Sequence, residues 1–159
     1  MTAEEQMAYL KSKQALMDAQ DYLSQYKRLD ARISLKLAQL DALREKQAIL
    51  CRALGKSPDW QQPVPDIRDL EQEVLKDYGE LLHLQREIGD HLRQVISPLQ
   101  RYILEMRYLQ AVPFHRLATD MSYEERQVYR MHRDGLRHVA AQLLQEGILP
   151  PKNEPAKTP

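Results

Sequence analysis

Residues 3–54 contain neither proline nor glycine. A run of that length without a helix breaker has long helix as its simplest solution. An apolar spacing of three and four passes along it through Tyr26, Leu29 and Ile33, then Leu40 and Leu43, then Leu50 and Leu54, with Lys36 and Gln47 in the intervening seam positions. Gly55-Lys56-Ser57-Pro58 ends the run, and a loop continues through Trp60, Pro63 and Pro65. Trp60 would sit at the tip of whatever the flanking helices form, as a folded-down aromatic or a contact to a partner. A second helix is predicted from Asp66 to Ile96, with Asp66 as its N-cap and Asp69 and Glu71 suited to the positive end of its dipole. Its seam reads Ile67, Leu70, Val74, Asp77, Leu81, Leu84, Ile88, His91, Val95, spaced by three and four throughout. That is the pattern of a coiled coil, with His91 as a register or pairing device or a partly exposed residue. Two such helices joined by a loop fold back most simply as an antiparallel hairpin.

The first helix is the longer of the two, so Met7, Leu10, Leu16 and Met17 have no seam within the hairpin. They are expected to pack in trans and build a homodimer, with packing onto the C-terminal part of the same chain as the competing outcome.

Ser97-Pro98 marks the next boundary, Pro98 being suited to a first helical turn. Helices are predicted at 99–109, 113–121 and 124–145, with Gly147 as a stop. The order of short helix, tight turn and basic amphipathic helix is that of a helix-turn-helix. In the last helix Arg126, Arg130, Arg133 and Arg137 follow one another by four, three and four residues and make one stripe. Val128, Met131, Leu136, Val139 and Leu143 take the other side, with His132 at the edge of the core. Guanidiniums on the free face of a half-buried helix suit phosphate and base edges. Arg126 and Arg130 lie in the N-terminal half, where recognition helices reach bases. Arg133 and Arg137 lie further along and are assigned to phosphate, and Gln127 and Tyr129 flank the stripe as further candidate contacts. Tyr123 could reach DNA or pack on its own motif. Leu104, Leu109, Leu117, Ala118, Val128 and Leu136 are the expected core of this module, Ala118 being small enough for a close helix crossing.

The whole chain carries 23 basic and 23 acidic residues, net zero. Local charge therefore decides: residues 126–137 hold four arginines and one acid, Asp134. The expected division is a helical hairpin over 1–96 for oligomerisation or partner binding, a DNA-binding helix-turn-helix over 97–147, and a disordered, Pro-rich tail over 148–159.

Other chemistry finds little support. Glu80-x-x-His83 has the spacing of a di-iron ligand pair, but the second copy such sites need is missing, so no metal or cofactor is expected. No phosphate-binding glycine loop and no nucleophile–base arrangement occurs, and no enzyme is expected. Cys51 is the only cysteine. It allows no intramolecular disulfide, and a reducing compartment fits. The opening MTAEEQMAYLKSKQ lacks a basic start followed by an apolar run, and no segment is apolar enough to span a bilayer. A soluble cytoplasmic protein, without membrane contact, is the expectation.

The run Tyr102-Ile103-Leu104-Glu105-Met106-Arg107-Tyr108-Leu109, then Phe114-His115-Arg116-Leu117-Ala118, Tyr123, Val128-Tyr129-Arg130-Met131-His132 and Leu136 resembles bacterial sigma-factor region 4. With Tyr22-Leu23, Arg28-Leu29-Asp30-Ala31-Arg32-Ile33 and Lys36-Leu37 upstream, residues 20–145 resemble small phage and prophage proteins of Gram-positive bacteria. These place such a helix-turn-helix after a helical hairpin, and they include late-transcription regulators of the RinA or ArpU type and proteins of unknown function. Ser122 stands where that family often has Gly, and Glu124 where a Ser would cap the recognition helix, so Ser122 would take over some of the capping. The resemblance implies an all-α fold, a long antiparallel coiled-coil hairpin followed by a sigma-region-4-like helix-turn-helix. It implies a sequence-specific regulator acting on promoter double-stranded DNA, a homodimer by preference, with RNA polymerase as a candidate further partner. Two alternatives share the same elements: a small-terminase-like DNA-packaging adaptor, and a protein-interaction module without DNA binding.

Overall fold

The computed structural model describes residues 1–56 and 65–151, and Trp60 with its loop lies outside them. Among the described residues every regular element is helical: α1 (Ala3–Lys11), α2 (Lys13–Ala53), α3 (Pro65–Arg93), α4 (Pro98–Tyr108), α5 (Phe114–Met121) and α6 (Glu125–Gln145). The fold is all-α.

The run without proline or glycine is not one helix. Ser12 adopts an extended conformation (φ −79°, ψ 156°) and separates α1 from α2. Its hydroxyl donates to the Tyr9 carbonyl at 2.5 Å and accepts the Ala15 N–H at 3.3 Å, so one side chain closes α1 and caps α2. The Tyr9 hydroxyl braces the corner by donating to Asp18 Oδ2 at 2.6 Å. At the start of α1, Thr2 and Glu5 form a reciprocal capping box.

Two compact units divide the chain. One comprises Arg28–Leu84. Ile33, Leu40, Cys51, Val74 and Leu81 are buried, and Asp77 is buried among them. Lys36 Nζ donates to Asp77 Oδ2 at 2.7 Å, and Arg32 lies 3.4 Å from Oδ1. The hydrogen bond from Lys36, with the Lys36 and Arg32 charges behind it, holds the Asp77 carboxyl below its ordinary range, and the hydrogen bond to Asp77, with the Asp77 and Glu73 carboxylates, raises Lys36. Such a pair specifies register more than it stabilises. Further ion pairs join Arg32 to Glu80, Lys36 to Glu73 and Arg44 to Glu71, so α3 partners descend in number as α2 positions ascend.

Three expectations are corrected here. Leu50 and Leu54 are exposed while Cys51 is buried. A straight α-helix drifts against a strict heptad, and near its end the seam has moved by one residue. Asp66 is not an N-cap, because α3 already begins at Pro65, although its carboxylate still lies in the first turn. α3 stops at Arg93 rather than Ile96, which is 83% exposed. Pro98 disfavours helical geometry just before it, and Ser97 turns extended to cap α4, accepting the Gln100 N–H.

The other unit joins residues 1–27 to residues 85–159. α1 packs on α6, and Ala15, Ala19 and Leu23 of α2 are fully buried. The N-terminal segment therefore packs in cis, the competing outcome rather than the expected trans packing. Leu10 and Leu16 are half-buried, while Met7 and Met17 remain exposed. His91 is buried and bonded at both ring nitrogens, Nδ1 to the Tyr22 hydroxyl and Nε2 to Glu146 Oε2, each at 2.7 Å. Burial, with the Glu87 charge and hydrogen bond next, pushes the Tyr22 hydroxyl well above its ordinary range.

Gly147 (φ +78°) ends α6 in the left-handed region, and the Ile148 N–H reaches the Leu143 carbonyl at 2.8 Å. Leu149 is buried, so the packed chain extends two residues into the segment expected to be disordered. An apolar contact just beyond a glycine stop commonly accompanies this helix ending. Residues 152–159 lie outside the described part.

Candidate nucleic-acid interface

The surface of interest is held by a small core. Ile103 of α4, Leu117 and Ala118 of α5 and Val128 of α6 are buried together, ringed by Met106, Val112, Phe114, Met121 and Met131. Leu104, Leu136, Val139 and Leu143 are also buried, whereas Leu109 is only half-buried. Full burial of a side chain such as Leu117 or Ile103 stabilises by roughly 1.5–3 kcal/mol as an upper estimate. α4 and α6 approach closely at Gly135, where an added Cβ would stand 3.0 Å from Leu104 Cδ1. The small residue at that crossing was not among those expected; its signal was a glycine inside an otherwise regular helical pattern.

The turn between α5 and α6 is defined by its hydrogen bonds. Ser122 sits in the left-handed region (φ 57°, ψ 39°). The Tyr123 N–H reaches the Ala118 carbonyl at 3.0 Å, and the Ser122 N–H reaches Thr119 at 3.2 Å. Ser122 thus ends α5 and does not cap α6. Glu124 is the N-cap of α6, and its N–H donates to Gln127 Oε1 at 3.1 Å. Tyr123 is exposed.

α6 buries Val128, His132, Gly135, Leu136, Val139, Ala140 and Leu143 on one side. Arg126, Gln127, Tyr129, Arg130, Arg133 and Arg137 are all exposed on the other. Glu125, Arg126, Tyr129, Arg130 and Arg133 line an open depression. Arg137 lies one turn beyond Arg133 and outside that lining. Arg32, Lys36, Arg44, Arg93 and Arg116 each have a carboxylate in ion-pair range. Among the described residues Arg126, Arg130, Arg133 and Arg137 have none.

Two of the six candidate contacts also serve the fold. Gln127 accepts the hydrogen bond at the start of α6. The Tyr129 ring packs at 4.5 Å on Phe114, and the Arg107 guanidinium lies over the same Phe114 ring at 4.8 Å. Phe114 also meets His132 edge-on at 4.8 Å. His132 Nε2 and the Tyr108 hydroxyl are 2.7 Å apart. Burial, then the Arg107 charge, pushes His132 down to about 4, so it is neutral at pH 7. Burial raises the Tyr108 hydroxyl, opposed by Arg107. The supporting roles of Arg107 and Phe114 were not anticipated, because residues seven apart joined by a left-handed turn and a helix start have no periodic signature.

Among the described residues no group of three or more His, Cys, Asp or Glu is placed to hold a metal. No helix there is long and apolar enough to cross a membrane. Comparison with protein-family models, curated proteins and solved structures finds no match.

Proposed function

We propose that this chain is a sequence-specific DNA-binding transcription regulator of phage type, and not an enzyme. α5, the turn at Ser122 and α6 act as a helix-turn-helix resembling sigma-factor region 4, and α2 and α3 form an antiparallel coiled-coil hairpin. The observation that carries this reading is the set of four exposed, uncompensated guanidiniums at Arg126, Arg130, Arg133 and Arg137. Four guanidiniums on one exposed helix face match the phosphates and base edges of a duplex. Arg126 and Arg130 are assigned to base edges and Arg133 and Arg137 to phosphate, with Tyr129 and Gln127 at the flanks. One module of this size usually needs a second to reach specific affinity, which favours a dimer on two half-sites. RNA polymerase is the proposed second partner. Selection of bound duplexes from random sequence at two salt concentrations tests the reading. A recovered motif with half-sites about one helical turn apart is expected. Recovery of random sequence at both salts would reject it.

A further inference from the structure

The outward side of α3 carries three large apolar side chains that are exposed among the described residues. Leu75 is 64% exposed, Tyr78 40% and Leu82 65%. Their spacing of three and four places them on one stripe of the helix. Gly79 lies in the same stripe, inside a 29-residue helix. Glycine disfavours a helix interior relative to alanine by roughly fivefold in equilibrium constant. Among the described residues nothing calls for it: no heavy atom there lies within 4 Å of where a Cβ would stand. An apolar stripe with an unexplained hole beside its aromatic residue has the form of one half of an interface.

We propose that this face is a homodimer surface, on which α3 of a second copy lies antiparallel, with Tyr78 of each chain seated over Gly79 of the other. The stripe is its own complement. A twofold axis between positions 78 and 79 brings Leu75 opposite the partner's Leu82, and Gln72 opposite the partner's Gln85. The same operation brings Glu71 opposite the partner's Arg86 at both ends of the contact, about 22 Å apart along the helix. Arg86 has no ion-pair partner among the described residues. Glu71 already meets Arg44 at 3.0 Å but keeps 41% of its side chain exposed, enough to accept a second guanidinium. Charge, shape and apolar content thus fit another copy of this helix. The N-terminal segment expected to dimerise packs in cis, and the α3 stripe is independent of it.

Sedimentation equilibrium of the full chain without DNA tests the surface. It does so separately from the DNA-binding reading, which could fail while the dimer stands. A dimer mass is expected. Leu75→Glu with Leu82→Glu should give single chains with unchanged helix content by circular dichroism. Gly79→Ala should raise the melting temperature where the protein is monomeric, because nothing in cis meets the new methyl, yet weaken association by about tenfold or more by filling the partner's tyrosine seat. Arg86→Glu should weaken association, and adding Glu71→Arg should restore it. A single-chain mass for the natural sequence, a dimer that survives the double glutamate change, or Gly79→Ala associating as tightly as the natural chain would each overturn the proposal.

Discussion

Acid should loosen the arginine-bearing module through one side chain. His132 is buried on α6, against Phe114 of α5 and within hydrogen-bond distance of Tyr108 of α4. Its ring thus ties together the three helices that position the stripe. Burial and then Arg107 bring its pKa down to about 4, against an ordinary 6.5. The unfolded chain binds that proton with ordinary affinity, so protonation favours unfolding. The contribution of neutral His132 is fully present above pH 6.5 and lost progressively as pH falls toward 4. Each unit of displacement is worth 1.36 kcal/mol, so the loss reaches about 2 kcal/mol at pH 5 and about 3 kcal/mol at pH 4. Urea unfolding of the natural chain and of His132→Gln across this range isolates the effect from the carboxylates, which titrate alike in both. The variant should be the less stable near neutrality, because it loses the ring packing. Its disadvantage should shrink by about 2 kcal/mol on going to pH 5. Curves that stay parallel from neutral pH to pH 5 would refute the reasoning, since an exposed or freely protonated imidazole leaves no such signature.

Ser122→Gly should stabilise the chain by about 0.5–1 kcal/mol in thermal denaturation, because glycine removes the Cβ penalty of the left-handed turn. Unchanged or lower stability would mean that the serine side chain holds the turn in some other way. Leu81 is 6% exposed, and Leu81→Ala should cost on the order of 2–5 kcal/mol in urea unfolding. A cost near zero would show that α2 and α3 are not packed along this seam.

Much of the helix pairing was legible in the sequence. Of the predicted seam, Val74, Asp77, Leu81, Ile88 and His91 of α3 and Val95 just beyond it are buried, and Ile67, Leu70 and Leu84 half-buried. A three-four spacing over that length has only one face to bury. The exceptions have local causes. The corner at Ser12 depends on one hydroxyl serving two helix ends, and serine in a helical run is an ordinary sight. The exchange of Leu50 for Cys51 reflects helix drift that a heptad template ignores. The cis packing of α1 on α6 is long-range, and no spacing rule reports which distant surface receives an amphipathic segment. For the candidate site, the exposed stripe followed directly from periodicity. Occupation of Gln127 by the α6 start and of Tyr129 by Phe114 did not, because both depend on where α6 begins. That start is displaced by the left-handed Ser122 and falls at Glu125, after Glu124 as N-cap.

The central claim is that the unpaired arginines of α6 meet DNA, two at base edges and two at phosphate. Its most direct measurement is the salt dependence of binding, followed by fluorescence anisotropy, on a selected duplex and on a scrambled one. It would be made for the natural chain and for Arg126→Ala, Arg130→Ala, Arg133→Ala and Arg137→Ala. Arg126→Ala and Arg130→Ala should each cost about 1–3 kcal/mol on the selected duplex and erode its advantage over the scrambled one. Arg133→Ala and Arg137→Ala should weaken both duplexes alike and lower the slope of log affinity against log salt by about 0.9 each. Affinity and slope unchanged in all four variants would contradict the assignment of this face to DNA.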